Sequence, residues 1–196
     1  GMASEIRQHA GLEVLGGGDD NGRIGCSVEE IATEPLDPAV RAVVMGGDAT
    51  GFSYYKVSKC VRYLVENAGC EFVLANPDMR FPLAAGRAAD PRREGSANSY
   101  LPAAGAQAAC VSSCTGRMPV VVGKPATLAM DLIMAEHGID PSRTVMIGDT
   151  LDTDIEFGNA SGVSTVLVLT GNTSEEAGVA ATGANRPGLI KNSAAD

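Results

Sequence analysis

The chain is short of three things: long apolar runs, positive charge and histidine. Each shortage closes a class of function. No stretch of its 196 residues approaches the ~18 consecutive apolar residues that a membrane-spanning helix requires. No basic segment leads into an apolar one, as a secretory signal would. Lys and Arg number 15 against 24 Asp and Glu, for a formal charge of −9. Such a chain repels a phosphate backbone over long range, which argues against nucleic-acid binding. A small phosphorylated molecule would be repelled too, unless a cation and local lysines offset the charge. The histidines are His9 and His137, and neither stands at zinc-ligand spacing from a cysteine pair. The five cysteines, Cys26, Cys60, Cys70, Cys110 and Cys114, are odd in number and scattered, which argues against a disulfide framework. They read as reduced thiols of a cytoplasmic protein, each packed as a small apolar side chain.

Two site-like loops fail on inspection. Gly16 to Gly25 has the glycines of a dinucleotide loop, but Asn21 holds the place of the last glycine and no helix is expected to follow. Asp19-Asp20-Asn21-Gly22 hints at a calcium loop, yet Gly17 would hold the first ligand position and Val28 the twelfth, where a glutamate is needed. A polar turn is the simpler reading.

Along the chain, periodicity and punctuation predict alternating elements. Residues 4–10 read as a helix end capped by Gly11, and Leu12–Leu15 as a short strand. Ala42–Met45 is a strand and Tyr54–Asn67 a helix, with Val57, Val61, Leu64 and Val65 on one face. Phe72–Ala75 is a strand ending at Asn76-Pro77-Asp78. Residues 84–99, rich in Ala, Gly, Arg, Ser and Asn, read as a flexible surface loop. Gly105–Gly116 is a small-residue helix carrying Cys110 and Cys114 on one face, and Val120–Val122 is a strand. Lys124-Pro125 opens a helix over Ala126–His137, in which Met130 and Met134 read as core. Val145–Ile147 is a buried strand, about Asp152 to Ala160 a helix, and Val166–Leu169 a strand. Strands alternating with helices imply a parallel sheet with crossover connections.

The most informative stretch is Val145-Met146-Ile147-Gly148-Asp149-Thr150-Leu151-Asp152-Thr153-Asp154-Ile155. Three carboxylates crowd the point where an apolar strand stops. They would repel one another unless a cation or a lysine sits among them. In open α/β sheets ligands gather at the carboxyl ends of strands. The pattern therefore reads as an acidic Mg²⁺ pocket. Thr150 and Thr153 read as helix caps, and Asp152 as a helix-start residue favoured by the dipole.

Gly148-Asp149-x-x-x-Thr153-Asp154 after a strand resembles the fourth motif of the haloacid dehalogenase (HAD) phosphatase superfamily, and Gly123-Lys124-Pro125 resembles its third. The text from Val122 to Gly171 is similar to the p-nitrophenylphosphatase and phosphoglycolate phosphatase branch. Gly47-Asp48, Phe52-Ser53-Tyr54-Tyr55-Lys56, Asn76-Pro77-Asp78 and Leu101-Pro102-Ala103-Ala104-Gly105 resemble that branch's cap. The resemblance implies an α/β fold: a parallel, Rossmann-like HAD core, here incomplete, with an α/β cap. The cap would occupy 1–118 and the core 119–196. It also implies catalytic Lys124 and Asp154, metal-binding Asp149, and Asn76 and Asp78 in contact with substrate. Asp48, Lys56 and the Pro102–Gly105 loop would structure the cap or approach substrate, the loop's small residues permitting close contact. Tyr54, Tyr55 and Tyr63 would form cap core and surface, or a dimer contact.

The family's Asp-x-Asp-Gly-Thr nucleophile segment is missing. Asp152-Thr153-Asp154 has the spacing, but Ile155 and Glu156 follow it. The second motif, a Ser or Thr closing an N-terminal strand, is missing too. The expectation is a phosphatase truncated at both ends: Mg²⁺-dependent by family, acting on small phosphate monoesters through an aspartyl-phosphate, and inactive in this form. The alternative is a non-catalytic module that pairs through its cap. A receiver-like domain ranks last, because Gly-Lys-Pro precedes the acidic cluster.

Overall fold

The structure, a computed structural model, describes residues 1–16, 20, 22–48, 51–82 and 100–195. The expected flexible loop at 84–99 lies outside the described residues. The chain forms two compact units, Gly1–Val120 and Val121–Asp196. Its sheets are mixed with helices throughout, and the pairing in the main sheets is parallel.

The first unit begins with α1 (Met2–Ala10), closed by Gly11 in the left-handed conformation. Helix α2 (Val28–Thr33) follows, its first turn satisfied by a reciprocal capping box between Ser27 and Glu30. Strand β1 (Ala42–Met45) pairs in parallel with β2 (Glu71–Leu74), setting Val43 beside Phe72 and Met45 beside Leu74. Between them runs α3 (Tyr54–Glu66), capped by the Ser53 hydroxyl. A short antiparallel ladder joins β3 (Arg80–Pro82) to β4 (Tyr100–Pro102). Helix α4 (Ala104–Thr115) packs on α3 and β2, and β5 (Val120–Val121) completes the sheet order β1-β2-β5. Tyr55, Tyr63, Leu64, Phe72, Leu74 and Val111 are buried. Arg117 ties two ends together, donating to the carbonyls of Leu64 (2.9 Å) and Cys70 (2.7 Å).

The second unit is a three-stranded parallel sheet in the order β6-β7-β8, with β6 Val145–Gly148, β7 Ser164–Val168 and β8 Leu189–Lys191. Helix α5 (Leu128–His137) contributes Met130, which packs with Phe157 and Val163, while Met134 and Met146 join from the edge. A π-helical turn at Leu151–Ile155 runs into α6 (Glu156–Ala160). Gly158 brings α6 close to the sheet, since a Cβ there would press on Thr165 and Met146. Helix α7 (Glu175–Ala180) rests Gly178 on Leu167 and Ile190 in the same way. Ile155 and Leu167 are fully buried, worth about 2–3 kcal/mol each.

Several expectations are corrected. Leu12–Leu15 forms no strand. It has no ladder partner among the described residues, Arg7 donates to the Val14 carbonyl at 2.7 Å instead, and Leu12 and Leu15 are exposed. The buried face of α3 is Tyr55, Tyr63 and Leu64, while Val65 is exposed. Strand β6 is parallel as expected but not buried, since Val145 and Ile147 face away from the α5–α6 layer at 49% and 47% exposure. Helix α5 starts at Leu128, beyond the Gly123–Ala126 turn, rather than at the expected Ala126. Elements α2, β3, β4, α7 and β8 were not anticipated.

All five cysteines are free, but they are not alike. Cys70 is buried, while Cys110 and Cys114 stand exposed on α4, against the expectation of buried thiols. Burial pushes the Cys60 thiol up to about 11, leaving about a hundredfold less thiolate than an ordinary thiol near neutral pH. Iodoacetamide at pH 8 is therefore expected to label Cys110 and Cys114 to completion before Cys60 or Cys70. Mass mapping that finds Cys60 modified as fast as Cys110 would refute this packing.

Candidate active site

The site is built at the carboxyl end of β6. Gly148 ends the strand, and glycine is required there because a Cβ would overlap the Asp154 side chain. The chain then passes through Asp149 and Thr150 into the π-helical turn, which folds Asp154 back beneath the strand end. Asp154 is 5% exposed, so its charge must be met by donors. One oxygen, Oδ2, accepts from the backbone N–H groups of Asp149 (3.0 Å) and Thr150 (3.2 Å). The other, Oδ1, accepts from the Lys124 ammonium at 2.5 Å. Asp154 thus closes the mouth of the turn and anchors a lysine from a separate loop.

Lys124 itself is half exposed, with a side-chain accessibility of 46% against 7% for Asp154. It stands on the turn in which Ala126 N–H donates to the Gly123 carbonyl at 3.0 Å. That places the ammonium before α5 rather than on its first residue.

Asp149 is held from the opposite side by the loop after β7. Its Oδ2 accepts from the Asn172 N–H at 2.8 Å, and its carbonyl accepts from the Thr173 hydroxyl at 2.6 Å. Its Oδ1 has a long contact from the Thr150 hydroxyl, 3.5 Å. Thr150 was expected to cap a helix. Its hydroxyl makes no cap bond but accepts from Asn172 Nδ2 at 3.3 Å. Asp152 turns to another task, accepting from Asn185 Nδ2 at 2.7 Å.

Three of the five sequence-nominated residues, Lys124, Asp149 and Asp154, therefore meet within the second unit. Asn76 and Asp78 belong to the first. Both are exposed, just past the end of β2, and Asn76 Oδ1 accepts from the Asp78 N–H at 3.2 Å. Gly105 backs this turn: its N–H donates to the Asp78 carbonyl at 2.8 Å, and a Cβ there would strike the Pro77 carbonyl. Asp48 and Lys56 form an ion pair at 3.1 Å, and Gln107 bonds both backbone groups of Asp48 at 3.0 Å. Sequence reasoning missed Gly171, Asn172 and Thr173 as partners of Asp149. The signal present was a Gly-Asn-Thr turn at a strand's carboxyl end.

Among the described residues no group of three or more His, Cys, Asp or Glu side chains is placed to hold a metal. Asp149 Oδ1 is a hard carboxylate oxygen whose contact is the long one from the Thr150 hydroxyl. That suits Mg²⁺, which commonly takes one or two carboxylates and completes its shell with water and phosphate oxygens.

Comparison with known proteins gives a consistent result. The HAD-hydrolase-like family matches residues 121–196. The chain is 41% identical to glycerol-3-phosphate phosphatase of Gallus gallus over 140 residues, which is 71% of this chain and 41% of that protein. It is 40% identical to phosphoglycolate phosphatase 2 of Arabidopsis thaliana over 178 residues, 89% of this chain and 53% of that one. The fold is similar to 4-nitrophenylphosphatase of Thermotoga maritima (TM-score 0.65, 28% identity, 81% of this chain and 55% of that one). It is also similar to glycerol phosphate phosphatase of Mycobacterium tuberculosis in complex with magnesium (TM-score 0.62, 32% identity, 77% and 40%). The chain spans less than two thirds of the length of each of these relatives.

Proposed function

We propose, from a chain that belongs to the haloacid dehalogenase superfamily and groups with its p-nitrophenylphosphatase and phosphoglycolate phosphatase relatives, that the protein is part of a Mg²⁺-dependent phosphatase of small phosphate monoesters. Val121–Asp196 would be the carboxyl-terminal part of its core and Gly1–Val120 its cap. The observation that carries the reading is the Lys124–Asp154 pair at 2.5 Å, whose carboxylate also accepts from the Asp149 N–H.

Each residue has a physical task. A compact ammonium held by a buried carboxylate is a fixed positive charge, suited to oxygens of a transferring phosphoryl group. Asp154 acts on that group only through Lys124 and the backbone, by orienting them. Asp149 would hold Mg²⁺ through a carboxylate oxygen, and the ion when bound would offset phosphoryl charge. Asn76 and Asp78, exposed on the cap, are assigned to substrate contact. The sequence holds no Asp-x-Asp-Gly-Thr segment, so this chain lacks the aspartate that would attack phosphorus, and we assign it no turnover by itself. We assign the whole phosphatase substrates of the p-nitrophenyl phosphate and phosphoglycolate type, by analogy with the phosphatases this chain is similar to.

A second reading, pairing of two copies through the cap, is favoured by β1. Among the described residues it is a sheet edge, beside a groove of about 1110 Å³ whose lining includes Met2, Ile6, Val44, Met45 and Phe52. Unpaired strand edges invite a partner. A mass by light scattering that stays monomeric up to high concentration would remove it. No described helix is long and apolar enough to cross a membrane, and the five unpaired thiols favour a reducing, cytoplasmic setting.

The test is Mg²⁺-dependent hydrolysis of p-nitrophenyl phosphate by the 196-residue chain beside Asp149→Asn, with Mg²⁺ binding followed by calorimetry. The expected result is no hydrolysis above the variant, with Mg²⁺ affinity lowered at least about tenfold by the substitution. Hydrolysis that Asp149→Asn abolishes would mean that another aspartate serves as nucleophile. Equal Mg²⁺ affinity in both proteins would remove Asp149 from the metal site.

A further inference from the structure

We infer that Gly171 and Thr173 are positioning residues for the cation ligand, clamping Asp149 so that one carboxylate oxygen, Oδ1, is left to face the ion. The inference rests on the reading of Asp149 as the Mg²⁺ ligand.

The starting observation is a glycine that its backbone does not demand. Gly171 is not among the glycines of positive φ, so a larger residue could adopt its conformation. What excludes one is space: a Cβ at 171 would lie inside the envelope of the Asp149 carboxylate, against Oδ2, Cγ and Cβ. The loop main chain therefore lies flush on that carboxylate. The closeness is used at once by the next residue, whose N–H donates to Asp149 Oδ2 at 2.8 Å. A charge-assisted bond of this length is among the stronger ones a neutral donor makes.

The grip has a second point. The Thr173 hydroxyl donates to the Asp149 carbonyl at 2.6 Å. Carbonyl and carboxylate of one residue are thus bonded to residues one position apart on one loop, which fixes both the main chain and the side-chain rotation of Asp149. Asn172 adds a third link through its side chain, donating to the Thr150 hydroxyl at 3.3 Å. Oδ1 is left with the 3.5 Å contact to Thr150, too long to count as a strong hydrogen bond. A ligand pre-set in this way need not be reoriented when the cation arrives. Such supporting contacts commonly change metal affinity by about 10–100-fold.

The experiment is calorimetric titration of the full 196-residue chain with Mg²⁺ alone, for wild type, Gly171→Ala, Thr173→Val, Thr173→Ser and Asp149→Asn. Circular dichroism establishes that each variant is folded. We expect Gly171→Ala to weaken Mg²⁺ binding about tenfold, Thr173→Val to weaken it several-fold, and Thr173→Ser to bind as wild type. In parallel, the Asn172 amide proton is expected to move upfield and exchange faster in Gly171→Ala and in Asp149→Asn, a readout that needs no metal. If Gly171→Ala does not fold, Thr173→Val and its serine rescue decide the matter. Binding within twofold of wild type in both Gly171→Ala and Thr173→Val, with binding lost in Asp149→Asn, would overturn the clamp and leave the metal reading standing. Unchanged binding in Asp149→Asn, or none in wild type, would overturn the metal reading and the clamp with it.

Discussion

Asp154→Ala is expected to lower the stability of the chain by about 3 kcal/mol, the sum of what a buried charged acceptor and its orphaned donors are worth. The carboxylate is 5% exposed and meets Lys124 Nζ, Asp149 N–H and Thr150 N–H. Alanine leaves both N–H groups unsatisfied at the point where the chain enters a π-helical turn, and frees the ammonium from its anchor. Lys124 is half exposed, so losing its charge partner is the smaller part of the cost. Asp154→Asn separates the contributions. Its amide oxygen can still accept from the two N–H groups, but its NH₂ would then face an ammonium, donor against donor. It is expected to fall between wild type and alanine. Urea unfolding followed by circular dichroism measures the series. Asp154→Ala within about 0.5 kcal/mol of wild type would show that the carboxylate does not organise the turn.

The same residue shows how far the sequence could be read. Asp149, Asp152 and Asp154 were legible as a cluster because carboxylates crowded at a strand end have one physical meaning, a site that needs a counter-charge, although Asp152 accepts from Asn185 instead. Their division of labour was not. The Asp154 side chain bonds back to the main chain at positions five and four earlier, a contact that follows from a π-helical turn where spacing suggested an ordinary helix. Thr150 was misread for the same reason, since the residue that closes the turn comes after it.

The strands β1, β2 and β6 were placed well because short apolar runs bounded by glycine or polar residues allow few other structures. The burial of β6 was not, since the number of faces a parallel strand covers depends on what packs there. Helix α2 had its announcement in Ser27-x-x-Glu30, a capping box without an apolar run behind it. Strand β8 had none: Leu189–Lys191 is three residues long and exists because β7 offers it a ladder. The loop at Gly171–Thr173 was seen as a strand closure, and its bonds to Asp149 span some two dozen residues that no local pattern connects.

Gly105→Val is expected to cost about 3 kcal/mol and Gly105→Ala about 1–3 kcal/mol, at the upper end of what overpacking does. The motif Pro102-Ala103-Ala104-Gly105 suggested small residues that let a substrate come near. Within the first unit they let the main chain come near instead. A Cβ at 105 would meet the carbonyls of Pro77 and Asp78, which are backbone and cannot swing aside as a flexible side chain would. The Gly105 N–H bond to the Asp78 carbonyl, 2.8 Å, would be strained by the same movement, and with it the turn that presents Asn76 and Asp78. Ser113→Val, on the exposed side of the same helix, is the control and should change stability by less than about 0.5 kcal/mol. Urea unfolding separates the two explanations for this glycine. If it serves only to admit a substrate, Gly105→Ala will unfold with the wild-type midpoint, and the close approach of α4 to the Asn76–Asp78 turn is not what requires it. If it serves the fold, the loss of stability will appear without any ligand present, and any change in substrate contact at Asn76 and Asp78 will follow from the displaced turn.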